Sequence, residues 1–102
     1  MFIISLTYKV QLEKVERYLD GHRAFLKKYY DNGFFVMSGA KVPRKGGVII
    51  ASVSNKTILE SVLQEDPFSI NGISDYEIIE FKPSMCIDSL IEAVQRDNAL
   101  NE

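Results

Sequence analysis

Apolar positions along the chain fall into blocks of two kinds. Phe2 to Tyr8 (FIISLTY) is a run rich in apolar and β-branched residues, the length and composition of a strand. From about Gln11 to Asn32 the period becomes helical. Val15, Leu19, His22, Leu26 and Tyr29 recur at steps of four and three, and Phe25 widens their stripe. Asn32-Gly33 supplies a stop, with Gly33 as the left-handed residue after the helix. Phe34 to Val42 is the second strand and Val48 to Val53 the third, joined through the Pro43-Arg44-Lys45-Gly46-Gly47 turn into a hairpin. Ser54-Asn55 can cap a second helix from about Lys56 to Glu65, which Asp66-Pro67 ends. Phe68 to Ser74 reads as a loop and Asp75 to Lys82 as the fourth strand. Ile87, Leu90, Ile91 and Val94 mark a short third helix, followed by a polar tail from Arg96 to Glu102.

The order is β-α-β-β-α-β plus a C-terminal helix: an α+β, ferredoxin-like arrangement with an antiparallel sheet. The expected division is one domain over 1–83 and a helical extension over 84–102.

The alternation carries a second message. A sheet with one wet face shows apolar-in, polar-out alternation. Here Phe2, Ile4 and Leu6 stand against Ile3, Ser5 and Thr7, and Val48 and Ile50 against Ile49, Ala51 and Val53. Strand two sets Phe34 and Val36 against Phe35 and Met37. Both faces carry large side chains, and two helices cover only one. Monomers avoid a large exposed apolar patch, and two-fold homodimers are the commonest oligomers. A second copy, sheet to sheet, is the expected cover; a monomer with the third helix folded over this face is the competing arrangement. Assembly beyond a dimer stays open.

Composition narrows the function. Of 102 residues, 33 are Leu, Ile, Val or Phe, too many for a disordered chain. Twelve basic against fourteen acidic residues give a net charge of −2, which argues against a nucleic-acid partner. The longest stretch without a charged residue, Gly46 to Asn55, has ten residues, and a membrane helix needs about 20. Met1-Phe2-Ile3-Ile4 has no basic segment before it and reads as strand rather than signal peptide, so a cytoplasmic protein is expected. One cysteine (Cys86) and one histidine (His22) exclude an internal disulfide and a Cys/His zinc cage. No phosphate loop, dinucleotide fingerprint or nucleophile elbow is present, and no metal or cofactor is expected.

His22 is the one residue of a type whose unperturbed pKa, about 6.5, lies near neutrality. It sits on the apolar stripe of the first helix. By spacing alone a partly buried core histidine is the commoner reading. Gly21 before it lowers helix propensity by roughly 1 kcal/mol relative to alanine; a close approach of backbone or ligand would explain it, and an incidental glycine with no role is an equal alternative. Asp66, at the end of helix two, would face the negative end of the helix dipole and needs a donor. A histidine would serve, but a turn-forming aspartate before proline is commoner. Lys41, Arg44 and Lys45 around the hairpin could attract an anion or form an ordinary solvated turn.

Several stretches together resemble the YCII-related (YciI-like) family. They are Gly21-His22-Arg23 with Phe25-Leu26, Gly33, Ser38-Gly39-Ala40, Gly46-Gly47, and above all Asp66-Pro67-Phe68 with Gly72 after it. The likeness runs from about Phe2 to Pro83. It implies a dimeric α/β barrel built from ferredoxin-like subunits, and a His-Asp pair in a cleft at the positions of His22 and Asp66. The family's chemistry is mostly unassigned, and some members are linked to lyase-type breakdown of halogenated aromatic compounds. The sequence departs from the pattern at Gly39-Ala40, where the family carries Gly-Pro, and in the tail from Ser84 onward.

The expectation is a cofactor-free enzyme of lyase or isomerase type acting on a small metabolite, aromatic or not. His22 would be the general acid or base and Asp66 its orienting partner. Phe68, Met37 and Ser38 would line the pocket, and Lys41 or a backbone N–H would provide electrophilic help. The alternative is a non-catalytic dimer that binds a small ligand or a protein through the same cleft. A purely structural histidine is the third reading.

Overall fold

A computed structural model describes residues 1–100. Its elements are β1 (Phe2–Tyr8), α1 (Leu12–Arg17), α2 (Leu19–Asp31), β2 (Phe35–Ala40), β3 (Gly46–Ala51), α3 (Lys56–Leu63), α4 (Pro67–Ile70), β4 (Ser74–Glu80), a 3-10 turn (Asp88–Leu90) and α5 (Ile91–Leu100). The strands form one sheet in the order β2-β3-β1-β4, every pair antiparallel. This is the α+β, ferredoxin-like architecture expected from the apolar pattern.

Register sorts the side chains. Phe2 pairs with Ala51, and Ile4 with Ile49 and Ile78. These residues, with Leu6 and Phe35, face the helices. Val15 of α1, Phe25 and Tyr29 of α2, Leu59, Val62 and Leu63 of α3, and Phe68 of α4 pack against them as one buried cluster. Burying each aliphatic side chain of this size stabilises by about 1.5–3 kcal/mol, so the cluster is the main source of the fold's stability. At one end of the cluster the Lys28 ammonium and the Tyr29 hydroxyl both donate to Glu65, tying α2 to the turn that follows α3. The Lys28 hydrogen bond, more than that of Tyr29, holds the Glu65 carboxyl below its usual range.

Five features differ from the sequence expectation. The helix expected over Gln11 to Asn32 is two helices, because Tyr18 leaves helical geometry (φ −109°, ψ 4°). The break lets Val15 and Phe25 both reach the core. Strand two starts at Phe35 and carries a bulge between Phe35, which pairs with Ala51, and Met37, which pairs with Ile50. Val36 is the extra residue, so Phe35 and Met37 point to opposite faces rather than the same one. The loop expected from Phe68 contains α4, and the strand after it spans Ser74–Glu80. Helix α3 ends at Leu63 rather than near Glu65, and the Asn55 side chain caps its start, accepting from the Ile58 N–H. The segment expected as a polar tail is helical to Leu100, anchored by buried Asp97, which accepts from the Ser52 hydroxyl at 2.8 Å. The last two residues of that expected tail lie outside the described residues.

The other face of the sheet has no helix of the α1–α4 layer on it. Met37, Ile50, Ile3 and Ile79 are register neighbours, one from each strand, and make an apolar row across it. Met37 and Ile79 are about half exposed, at 49% and 53%.

Candidate functional site

The site begins with a glycine. A Cβ on Gly21 would stand 3.0 Å from Cγ of Pro67. Its absence lets α2 lie against the start of α4, which brings His22 onto the residues flanking Pro67. Neither backbone nor ligand, the two expected at Gly21, is what lies there; it is the ring of Pro67.

Asp66 does not face the negative end of a helix dipole. It is the N-cap of α4, with Pro67 in the first turn, and this places its carboxylate at the favourable end. The side chain is fully buried. Its Oδ1 accepts from the backbone N–H of Phe68 at 3.0 Å and from Nδ1 of His22 at 2.8 Å. Its Oδ2 accepts from the hydroxyl of Tyr76 at 2.6 Å. Three donors on one buried carboxylate meet the requirement that a desolvated charge be fully hydrogen-bonded.

Tyr76 was not among the candidates drawn from the sequence. Register pairs it with Leu6 on the inner face, and its parity with Ile78 in β4 was the available signal. Burial, and secondarily the hydrogen bond to Asp66, push its phenol well above the ordinary value near 10. The hydroxyl is therefore a fixed donor at neutral pH.

With Nδ1 bound to Asp66, the His22 tautomer carries its proton on Nδ1. Nε2 has no protein partner among the described residues. The imidazole lies flat on the Phe68 ring, with centroids 4.1 Å apart and planes 6° apart. Its side chain is 12% exposed, and it borders a cleft of about 300 Å³. That volume is at the small end of the usual range for ligand sites.

Helix α2 contributes Leu19, His22, Arg23 and Leu26 to the cleft, and the sheet contributes Leu6, Ser38, Ala40, Gly47 and Ile49. Arg44, in the β2–β3 turn, closes one side. Gly47 and Ala40 pair with each other in register on the Leu6 side of the sheet, and both border the cleft with little or no side chain.

Of the residues expected to bind substrate, Phe68 and Ser38 border this cleft, and the Ser38 hydroxyl is 2.5 Å from that of Tyr30. Met37 does not. The bulge before it turns it to the far face of the sheet. Lys41 does not border it either, since its ammonium donates to Thr7 Oγ1, at 3.2 Å, on a residue of that far face. The cations at the cleft are Arg23 and Arg44. Among the described residues no three His, Cys, Asp or Glu side chains converge as a metal-binding group, and no helix is long and apolar enough to cross a membrane.

These features define a ferredoxin-like α+β domain with a buried carboxylate–imidazole pair beside a small cleft. The chain belongs to the YCII-related domain family, which matches residues 1–82. Among solved structures it is similar to a 5-chloro-2-hydroxyhydroquinone dehydrochlorinase (TftG) from Burkholderia phenoliruptrix AC1100, determined in complex with 2,5-dihydroxybenzoquinone. The two share 16% sequence identity at a TM-score of 0.71, over 81% of this chain and 94% of that one. No curated protein matches the chain.

Proposed function

We propose that the protein is an enzyme of small-molecule metabolism in which His22 transfers a proton and Asp66 positions it. The observation that carries this reading is the orientation of the imidazole. Its Nδ1 is held by a fully buried carboxylate, and its ring borders the cleft with Nε2 unpartnered among the described residues. A ring fixed in this way has one nitrogen ready to accept a proton and one that cannot turn to compete.

The reaction type is elimination or isomerisation. Nε2 takes a proton from a C–H or O–H of the substrate. The released electron pair forms a new double bond; in an elimination the leaving group departs from the adjacent carbon with its own bonding pair, and in an isomerisation a neighbouring π bond breaks and its pair moves one atom further. As the imidazolium forms, Asp66 stabilises it through Nδ1–H. The imidazolium then returns its proton to the leaving group, to water or, in an isomerisation, to another carbon. Such a step balances without an oxidant or reductant. General acid–base help of this kind contributes about 10²–10⁴-fold. The name of the similar structure supports the class, since dehydrochlorination removes a proton and a chloride from a small ring compound.

The subunit acts as a homodimer in this proposal. The Met37–Ile50–Ile3–Ile79 row is the surface a second copy would cover, sheet to sheet.

The test is a panel of halogenated and unhalogenated hydroquinones and related cyclic compounds, assayed with the parent protein and His22→Gln. Glutamine keeps the size and some hydrogen bonding but does not transfer a proton near neutrality. The expected result is turnover by the parent, reduced at least 100-fold in His22→Gln, with ligand affinity retained. Turnover by His22→Gln at the parent rate would contradict the proposal.

A further inference from the structure

We infer that the cleft takes a small organic acid, a single-ring or similarly compact body whose anionic oxygens are bound by Arg23 and Arg44. This names the substrate class for the proposed function and rests on that reading.

The charge distribution is the first argument. The chain as a whole is net acidic at −2. Yet among the described residues no Asp or Glu borders the cleft, while two arginines do. Asp66 lies beneath His22, but it is fully buried and its oxygens already accept from three donors. A concave site lined by one sign of charge in a molecule of the opposite sign concentrates ligands of that opposite sign.

The second argument is placement. Arg23 follows His22 on α2, and Arg44 stands in the β2–β3 turn, so the cations come from two separate elements that border one cleft. Arg23 has no hydrogen-bond or ion-pair partner among the described residues. Arg44 has one, Glu16 at 3.4 Å, in a pair that is 38% and 60% exposed. Exposed pairs of this kind contribute little, so the guanidinium can exchange Glu16 for a ligand oxygen. The planar, forked donor set of arginine matches a carboxylate or an enolate better than an ammonium does.

The third argument is the rest of the wall. Leu19, Leu26 and Ile49 offer apolar surface for a flat body, and about 300 Å³ limits it to roughly one ring with substituents. Cations beside the ligand also have a chemical use. When His22 removes a proton, negative charge grows on the substrate, and fixed cations stabilise that charge as it develops.

The experiment uses benzoate and its uncharged counterpart benzamide as probes. Affinities are measured by calorimetry for the parent, Arg23→Gln and Arg44→Gln, at low and high salt. Benzoate is expected to bind roughly tenfold more tightly than benzamide. Each arginine substitution should weaken benzoate by a similar factor and leave benzamide unchanged, and salt should weaken benzoate alone. Equal affinity for the two probes, benzoate affinity unmoved by both substitutions, or no benzoate binding overturns the inference. The failure modes separate cleanly. If benzoate binds as expected but no compound is ever turned over, the functional reading fails and this one stands. If turnover requires His22 but KM is unmoved in both arginine variants, this inference fails and the functional reading stands.

Discussion

The rings of His22 and Phe68 are stacked, 4.1 Å between centroids and 6° from parallel, and one oxygen of Asp66 binds both residues, the imidazole of one and the backbone N–H of the other. The N-cap of a four-residue helix is thereby also the clamp on the imidazole. Phe68 is 1% exposed and makes an edge contact with Tyr8 at 6.0 Å on a different side. Replacing it with leucine keeps most of the buried volume and removes both ring contacts. Phe68→Leu is expected to lower stability by about 1–3 kcal/mol, read from the urea midpoint. An unchanged midpoint would show that the stack contributes nothing.

Tyr76 carries a pH signature. Its folded-state pKa is raised above the ordinary value near 10, so the folded protein disfavours the phenolate. The associated stability is fully present below pH 10 and is lost as pH rises beyond it. The parent should therefore lose up to about 1.4 kcal/mol per pH unit above 10 relative to Tyr76→Phe, which has no phenol to ionise there. At neutral pH the substitution leaves Asp66 with two donors and should cost about 1.5–3 kcal/mol. Chemical denaturation of both proteins between pH 7 and roughly 11 checks both statements. Parallel curves above pH 10 would contradict them.

The bare face of the sheet leads to a prediction about mass. Ile3 and Ile50 sit at the middle of its apolar row. Light scattering should give twice the 11.6 kDa chain mass for the parent and the single-chain mass for Ile50→Glu, because a carboxylate there would have to be buried without a partner. A parent that runs as a single chain would remove the dimer from the account.

The sheet was legible in the sequence for a simple reason. The order of elements along the chain follows from where strand-like runs give way to period 3.6, and the two-faced β1 and β3 are visible as runs with large side chains at both parities. The inward pull of His22 followed from its place between Leu19 and Leu26. What the pattern does not encode is one-residue irregularity. The bulge at Val36 shifts the parity of everything after it in β2, and this is why Met37 was expected on the wrong face. The break at Tyr18 costs one residue of helix and leaves the apolar stripe intact, so periodicity passes over it.

Helix α4 spans four residues, too few for a period, and Asp66-Pro67, its N-cap with proline in the first turn, was read as the end of the helix before it. The meeting of His22 with Asp66 spans 44 residues of sequence and no local rule reaches that far. It was anticipated from family resemblance, whereas Tyr76, with no motif around it, was not. Arg23 and Arg44 stand where Lys41 had been expected because Lys41 falls on the Thr7 side of the sheet.

The most direct test of the central claim, that His22 moves a proton at this cleft, is hydrogen exchange on a bound substrate. A cyclic acid turned over by the protein is incubated in deuterated water, and loss of its reactive C–H signal is followed by proton NMR with the parent and with His22→Gln. The account predicts exchange catalysed by the parent and at least 100-fold slower in the variant, at unchanged ligand affinity. Equal exchange rates in the two proteins would contradict it.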